Sequence, residues 1–275
     1  MCSVSSEMSP PHFCHISEIK SKQIYKTGAV GVPHEGPEEY NNIWQKTRAN
    51  WRYVYEYYRD EFDYFHFGGD DLFVLVPNLK AYLASGPIKA RNDRGEPLYL
   101  GRRFDNQGNK TNLFNFGGSG YTFNRKSLAL LYDSFDEPFC RPHLRAPFED
   151  VMVAECFRNG PAHLLPTDTR DKTGAERFHP FTPGQHLTWR PPRKRKANGQ
   201  SVDWYENYNA PWGVGLGVDC CSEHSVSFHY VKPNLMPHVS ALLFDCREGG
   251  AGGGGRGGKG RRFGRQMLMT MPVPP

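Results

Sequence analysis

Residues 63–76 read Asp63-Tyr-Phe-His-Phe-Gly-Gly-Asp-Asp-Leu-Phe-Val-Leu-Val76, two apolar, β-prone runs joined by the adjacent carboxylates Asp70 and Asp71. Aromatic and β-branched runs bounded by Gly and Asp predict strands on either side of a turn. Both acids then stand at the exposed edge of a buried sheet. Adjacent acids there suit a divalent cation held against a phosphorylated ligand, because hard cations take carboxylate oxygens and share the phosphates. Asp also favours turns for its own local hydrogen bonding, so the pair gains force only from its surroundings.

Working outward, Trp44, Trp51, Val54, Tyr55 and Tyr58 recur at helical spacing and predict a helix from about residue 41 to 60 with one buried aromatic face. Pro77 suits the first turn of a short helix reaching Ala84. Leu98-Tyr99-Leu100 reads as a strand ending at Gly101. Asn124 is placed to cap a helix running through Leu128, Leu131 and Phe135. Pro147 opens another, with Val151, Ala154 and Phe157 inward and Gly160 closing it. Residues 166–220 read as loops rich in Trp, Tyr, Pro and His, and Val226–Val231 as a short strand. Alternating strands and helices predict an α/β fold with a mostly parallel sheet. The expected organisation is an irregular segment over 1–40, a catalytic domain over 41–247 and a disordered Gly/Arg-rich tail over 248–275.

Of 275 residues, 38% are hydrophobic and 13% aromatic, enough to build a core. The net charge of +5 is not spread over that core: from Glu248 onward five basic residues face this one acid, which places +4 in the tail. A near-neutral body argues against a nucleic-acid surface. The seven cysteines, at 2, 14, 140, 156, 220, 221 and 246, contain no C-x-x-C pair, so disulfides in an oxidising compartment are expected rather than zinc. Cys140 with Cys156 is the expected pair. Asn109-Lys110-Thr111 is a glycosylation sequon that fits such a compartment. No apolar run approaches the roughly 20 residues that cross a bilayer, and no signal peptide is evident.

Three further groups bear chemistry. Glu149-Asp150 is a second acid pair at a helix N-terminus, where acids complement the dipole and where one acid is also placed to act as a general base. His229 sits on a strand with apolar neighbours, a position more common for a core histidine than for a ligand. Gly117-Gly118-Ser119-Gly120 lets backbone approach a phosphate or sugar, but lacks the G-x-G-x-x-G spacing of nucleotide folds. The basic run Arg190–Lys196 reads as a solvated loop.

Taken in order, these segments resemble the core 1 β1,3-galactosyltransferases of glycosyltransferase family 31. The matching blocks run from Asp63 through Leu79, then Tyr99-Leu-Gly-Arg-Arg-Phe104, Gly117-Gly-Ser-Gly-Tyr121 and Glu149-Asp150. They continue through Asp168-Thr-Arg-Asp171, Phe178-His-Pro-Phe181, Trp204-Tyr-Glu-Asn-Tyr-Asn209, Cys220-Cys221 and Val226-Ser-Phe-His-Tyr-Val231. The resemblance implies a GT-A-like, Rossmann-type sheet flanked by helices, Mn²⁺, a UDP-sugar donor (normally UDP-galactose) and a GalNAc-bearing glycoprotein acceptor. It implies metal ligation by Asp71 and His229 with Asp70 assisting, and Asp150 as the inverting base. Arg102, Gly117, Gly118 and Asp70 would lie near the donor, and Trp204, Tyr205 and Glu206 near the acceptor. It further implies a Golgi-luminal type II membrane protein, anchored by a segment not found in this chain, and it allows a homodimer. Two departures stand out: Gly69 replaces the first acid of the family's Asp-Asp-Asp triplet, and the first βα unit is not recognisable before residue 40. Other donors or acceptors of the family, or a non-catalytic chaperone-like relative, are the alternatives.

Overall fold

The computed structural model describes residues 31–105 and 112–240, together with the backbone of a strand at 266–271. The sequon and Cys2, Cys14 and Cys246 lie outside the described residues, as do the first thirty residues and most of the tail. In chain order the elements are α1 (Ile43–Tyr58), β1 (Tyr64–Gly69), β2 (Phe73–Val74), α2 (Val76–Leu83), α3 (Gly86–Asp93), β3 (Tyr99–Gly101), β4 (Arg103–Asp105), β5 (Leu113–Asn115), β6 (Tyr121–Asn124), α4 (Arg125–Ser134) and α5 (Glu149–Asn159). The remainder are β7 (Phe178–His179), α6 (Pro183–Thr188), α7 (Trp204–Tyr208), β8 (Ser227–Phe228), α8 (Met236–Ser240) and β9 (Gln266–Met271).

The main sheet has the order β3-β6-β1-β9. Strand alternation divides its side chains between two cores. Phe65 and Phe67 of β1, Tyr99 of β3 and Tyr121 and Phe123 of β6 face one side, where Trp44 and Trp51 of α1, Leu128 and Leu131 of α4 and Phe157 of α5 pack on them. Tyr64, Leu98 and Leu100 face the other, against Leu79 and Leu83 of α2 and Ile88 of α3. Helices therefore cover both faces, the layered arrangement expected of an α/β fold. Trp51 is fully buried and stacks on Phe123 at 4.6 Å and Phe67 at 5.4 Å. Removing that ring costs about 3–5 kcal/mol.

Local signals explain the helix boundaries. The Asn124 side chain accepts from the Ser127 N–H to start α4, and the Gly160 N–H closes α5 on the Cys156 carbonyl. A disulfide joins Cys140 to Cys156 and ties α5 to the segment after α4.

Strand direction corrects the expectation of a mostly parallel sheet. Among the described strand pairs, β1–β9 and β7–β8 are parallel, and β1–β6, β3–β6, β2–β8 and β4–β5 are antiparallel. Helical crossovers are what make neighbours parallel, and β3 reaches β6 through the β4–β5 hairpin instead. Within the expected disordered tail one strand is described. Residues 266–271 pair along the whole of β1, from Tyr64↔Gln266 to Gly69↔Met271. β1 is a buried strand, and the N–H and C=O groups of its second edge require partners. Within 166–220, expected to be loops, lie β7, α6 and α7, each too short to show a period. α6 is started by a capping box between Thr182 and Gln185.

Candidate active site

Two short strands assemble the acid–imidazole pair. β2 and β8 align Phe73 with Phe228, and just beyond them the Val231 N–H donates to the Asp71 carbonyl at 2.9 Å. Asp71 Oδ1 then lies 3.2 Å from His229 Nε2. This is an approach in charge and distance, without hydrogen-bond geometry, for Asp71 Oδ1 is buried and has no hydrogen-bond partner. On the other side of the ring His229 Nδ1 is 3.3 Å from the Pro180 carbonyl. A carbonyl only accepts, so Nδ1 is the donor to Pro180 and Nε2 is the ring nitrogen turned toward Asp71. An oxygen and a nitrogen this close, with no hydrogen bond between them, leave room for a shared cation. Adjacent ligands of an octahedral ion bound at about 2.1 Å are about 3.0 Å apart, so the pair fits a divalent metal. The Pro180 carbonyl would orient the imidazole as such ligands require. Asp70 is half-buried, is engaged in a contact of its own and does not line the cavity.

The glycine loop links this pair to the second acid pair. The Gly117 N–H donates to Asp150 Oδ2 at 2.8 Å. A Cβ on Gly117 would overlap the Glu149 carboxylate, and one on Gly118 would fall 2.5 Å from His229 Cε1. Both positions therefore need glycine for space. Asp150 and His229 are thereby held by successive residues, whose Cα atoms are about 3.8 Å apart. Burial pushes both acids upward. Glu149 rises well above its ordinary range because burial is reinforced by the Asp150 charge. Asp150 is also raised by burial, but the N–H groups of Gly117, Val151 and Asp150 itself pull it back. Asp150 is the member that ionises, at the positive end of α5, with its basicity raised toward what a general base needs.

Asp71, His229, Gly117, Gly118, Asp150 and Trp204 all line one cavity of about 540 Å³. Trp204, at the start of α7, is 42% exposed and its ring packs 5.9 Å from Phe116, so one face is offered to a ligand. Besides Asp70, three expected site residues, Arg102, Tyr205 and Glu206, lie elsewhere. Arg102 is buried behind the cavity, donating to the Tyr205 hydroxyl at 3.0 Å and to Asn209 Oδ1 at 2.7 Å. Its Nη1 pairs by distance alone with Glu176 at 3.1 Å. Arg102 and Tyr205 together fasten α7, and with it Trp204, to the sheet. Glu206 pairs with Arg195 at 2.8 Å on a second cavity of about 670 Å³ on the far side of Trp204. That cavity is the larger, but Glu206 is its only carboxylate and no histidine lines it, so the smaller one is the candidate site.

The structure adds Lys46 and Tyr230 to the cavity wall. Lys46 hides in the polar pattern of α1 and pairs with Glu38 at 2.5 Å. Tyr230 stacks on His229 at 3.8 Å and holds φ at 59°, a strained value for a non-glycine residue. Its place beside His229 in the Ser-Phe-His-Tyr-Val block was the available signal. A separate cluster, His179, His186 and Cys221, does not line this cavity.

No family model matches the chain. Among curated proteins, a Xenopus laevis glycoprotein-N-acetylgalactosamine 3-beta-galactosyltransferase 1 is 29% identical over 213 residues, 76% of this chain and 53% of the relative. The chain is similar to that galactosyltransferase over most of its own length. The chain spans about half the length of the galactosyltransferase it matches.

Proposed function

We propose that this chain is an inverting, Mn²⁺-dependent β1,3-galactosyltransferase that moves galactose from UDP-galactose to the 3-hydroxyl of O-linked GalNAc on glycoproteins. Residues 41–247 are its catalytic domain. The observation that carries the reading is the juxtaposition, across Gly117-Gly118, of a buried carboxylate, Asp150, with a carboxylate–imidazole pair that no hydrogen bond joins. Asp71 and His229 would hold Mn²⁺, which when bound neutralises charge on the departing diphosphate. Asp150 accepts the proton of the acceptor hydroxyl as its oxygen bonds to the anomeric carbon and the bond from that carbon to UDP breaks. Attack from the face opposite the leaving group inverts the anomeric centre. The Gly117 N–H fixes one carboxylate oxygen of Asp150, so the base is oriented before substrate arrives. Trp204 would support the apolar face of the acceptor sugar.

The Cys140–Cys156 disulfide agrees with a lumenal compartment, and we place the protein in the Golgi. No helix among the described residues is long and apolar enough to cross a membrane, and the anchor would be a separate segment. A second reading, a non-catalytic relative that binds UDP-sugar without transferring it, is favoured by Gly69, which lines the cavity where the family pattern has an acid. Incubation with UDP-galactose, Mn²⁺ and a GalNAc-peptide decides between them. Transfer that is abolished by Asp150→Asn supports the enzyme; Mn²⁺-dependent UDP binding with no transfer supports the binder.

A further inference from the structure

A second group of metal-competent side chains converges around β7, outside the cavity just described. His179, His186 and Cys221 each offer one ligand atom within 4.8 Å of the others. His179 is fully buried; its Nε2 hydrogen-bonds with Ser225 Oγ at 2.9 Å, and its Nδ1 has no partner. A buried polar nitrogen left unsatisfied is costly, and such groups call for a specific explanation. The His186 ring is also buried, 5.1 Å from that of His179. Burial depresses both imidazoles, His186 to about 3, and so keeps them in the neutral form that ligates metals. Cys221 is half-buried, so the cluster is open to solvent on the sulfur side. The sulfur itself is bound to that of its neighbour, Cys220.

We infer that His179, His186 and Cys221 form a thiol-gated site for a zinc-class divalent ion, closed while the Cys220–Cys221 bridge is intact and opened by its reduction. A dithiol supplies two electrons and two protons and leaves as its own disulfide, and Cys220 and Cys221 become thiols. On binding the ion, Cys221 releases its proton to solvent and ligates as thiolate. Tetrahedral zinc, with nitrogen at about 2.0–2.1 Å and sulfur at about 2.3 Å, needs ligand atoms about 3.3–3.6 Å apart. Drawing the three atoms together by up to about 1.2–1.5 Å requires rotation about the Cys221 Cα–Cβ bond, which the bridge to Cys220 blocks and reduction frees. A fourth position remains for water, as in other three-ligand zinc sites. The site also abuts the candidate active site: the His179 carbonyl accepts from the His229 N–H at 3.0 Å, and the Phe228 ring stacks on His179 at 4.4 Å.

Cobalt is the probe, because a thiolate–cobalt charge-transfer absorption reports sulfur ligation and the oxygen–nitrogen pair of Asp71 and His229 cannot produce it. The full chain is used with Cys2, Cys14 and Cys246 replaced by Ser, and circular dichroism confirms folding of each variant. The oxidised parent shows no such band. One equivalent of cobalt develops it after dithiol reduction, and Cys220→Ser develops it with no reductant. Cys221→Ser loses the same bridge but shows no band, and His179→Ala weakens cobalt binding by more than about tenfold. A band in either the reduced parent or Cys220→Ser, with none in Cys221→Ser, upholds the site. Its absence from both, or an equal band in Cys221→Ser, overturns it. The outcome is independent of galactose transfer.

Discussion

Gly118→Ala distinguishes a glycine that the site requires from one that is merely tolerated. The added Cβ would lie 2.5 Å from His229 Cε1, 2.6 Å from Nδ1 and 2.7 Å from Phe116 Cε1, whereas ordinary contact begins at 3.4 Å. The imidazole must retreat by the difference between 3.4 and 2.5, about 0.9 Å. It has little room to do so, for Tyr230 is stacked 3.8 Å away on the ring. Overpacking of this kind costs about 1–3 kcal/mol of stability. If His229 holds the metal as proposed, displacing it by about 1 Å is expected to lower kcat/KM by about a hundredfold. The control is Gly184→Ala in α6, where a Cβ meets nothing within 4 Å. That change should leave transfer unaltered and add up to about 1 kcal/mol of stability through helix propensity. Thermal unfolding and initial rates of transfer to a GalNAc-peptide read both quantities. A Gly118→Ala protein with wild-type kcat/KM would refute the argument, since His229 would then have no need of its observed position.

Other consequences are open to measurement. Asp150→Asn should lower kcat by about 10²–10⁴ while leaving UDP affinity unchanged in calorimetry. Asp71→Ala should abolish the Mn²⁺ dependence of UDP binding, and a chelator should reproduce its effect on the wild type. Arg102→Ala leaves Glu176 buried without its cation and should cost about 3–5 kcal/mol in urea unfolding. His66, buried beside Thr122 and held neutral with its pKa lowered to about 3, gives a pH test. Below about pH 6.5 the unfolded chain takes up a proton that the folded chain refuses, so this residue's contribution is complete above pH 6.5 and is lost as pH falls toward 3. His66→Gln should therefore flatten the pH dependence of stability between 6.5 and 5 by up to about 1.4 kcal/mol per pH unit; an unchanged slope would contradict the burial of a neutral ring.

What was legible in the sequence was whatever a local period or cap could write. Trp44, Trp51 and Val54 announced the buried face of α1, and Asn124 announced α4, because helix geometry and capping act within a few residues. The meeting of Asp71 with His229 had no local signal, since two-residue strands such as β2 and β8 show no period. Only the ordered series of blocks suggested it. Arg102 could not be located from its type, because an arginine that binds phosphate and one that anchors a helix are the same residue in a sequence. The strand at 266–271 had no local signal for a related reason. Gly-rich composition argues that a segment cannot build its own core, but it says nothing of an edge that another strand leaves open. β1 ends at Gly69 and β9 ends opposite it at Met271. Parallel neighbours finish on the same side of a sheet, and in α/β folds that carboxyl edge is where ligands bind. β9 therefore ends beside Gly69-Asp70-Asp71, at the edge of the sheet where the acids stand.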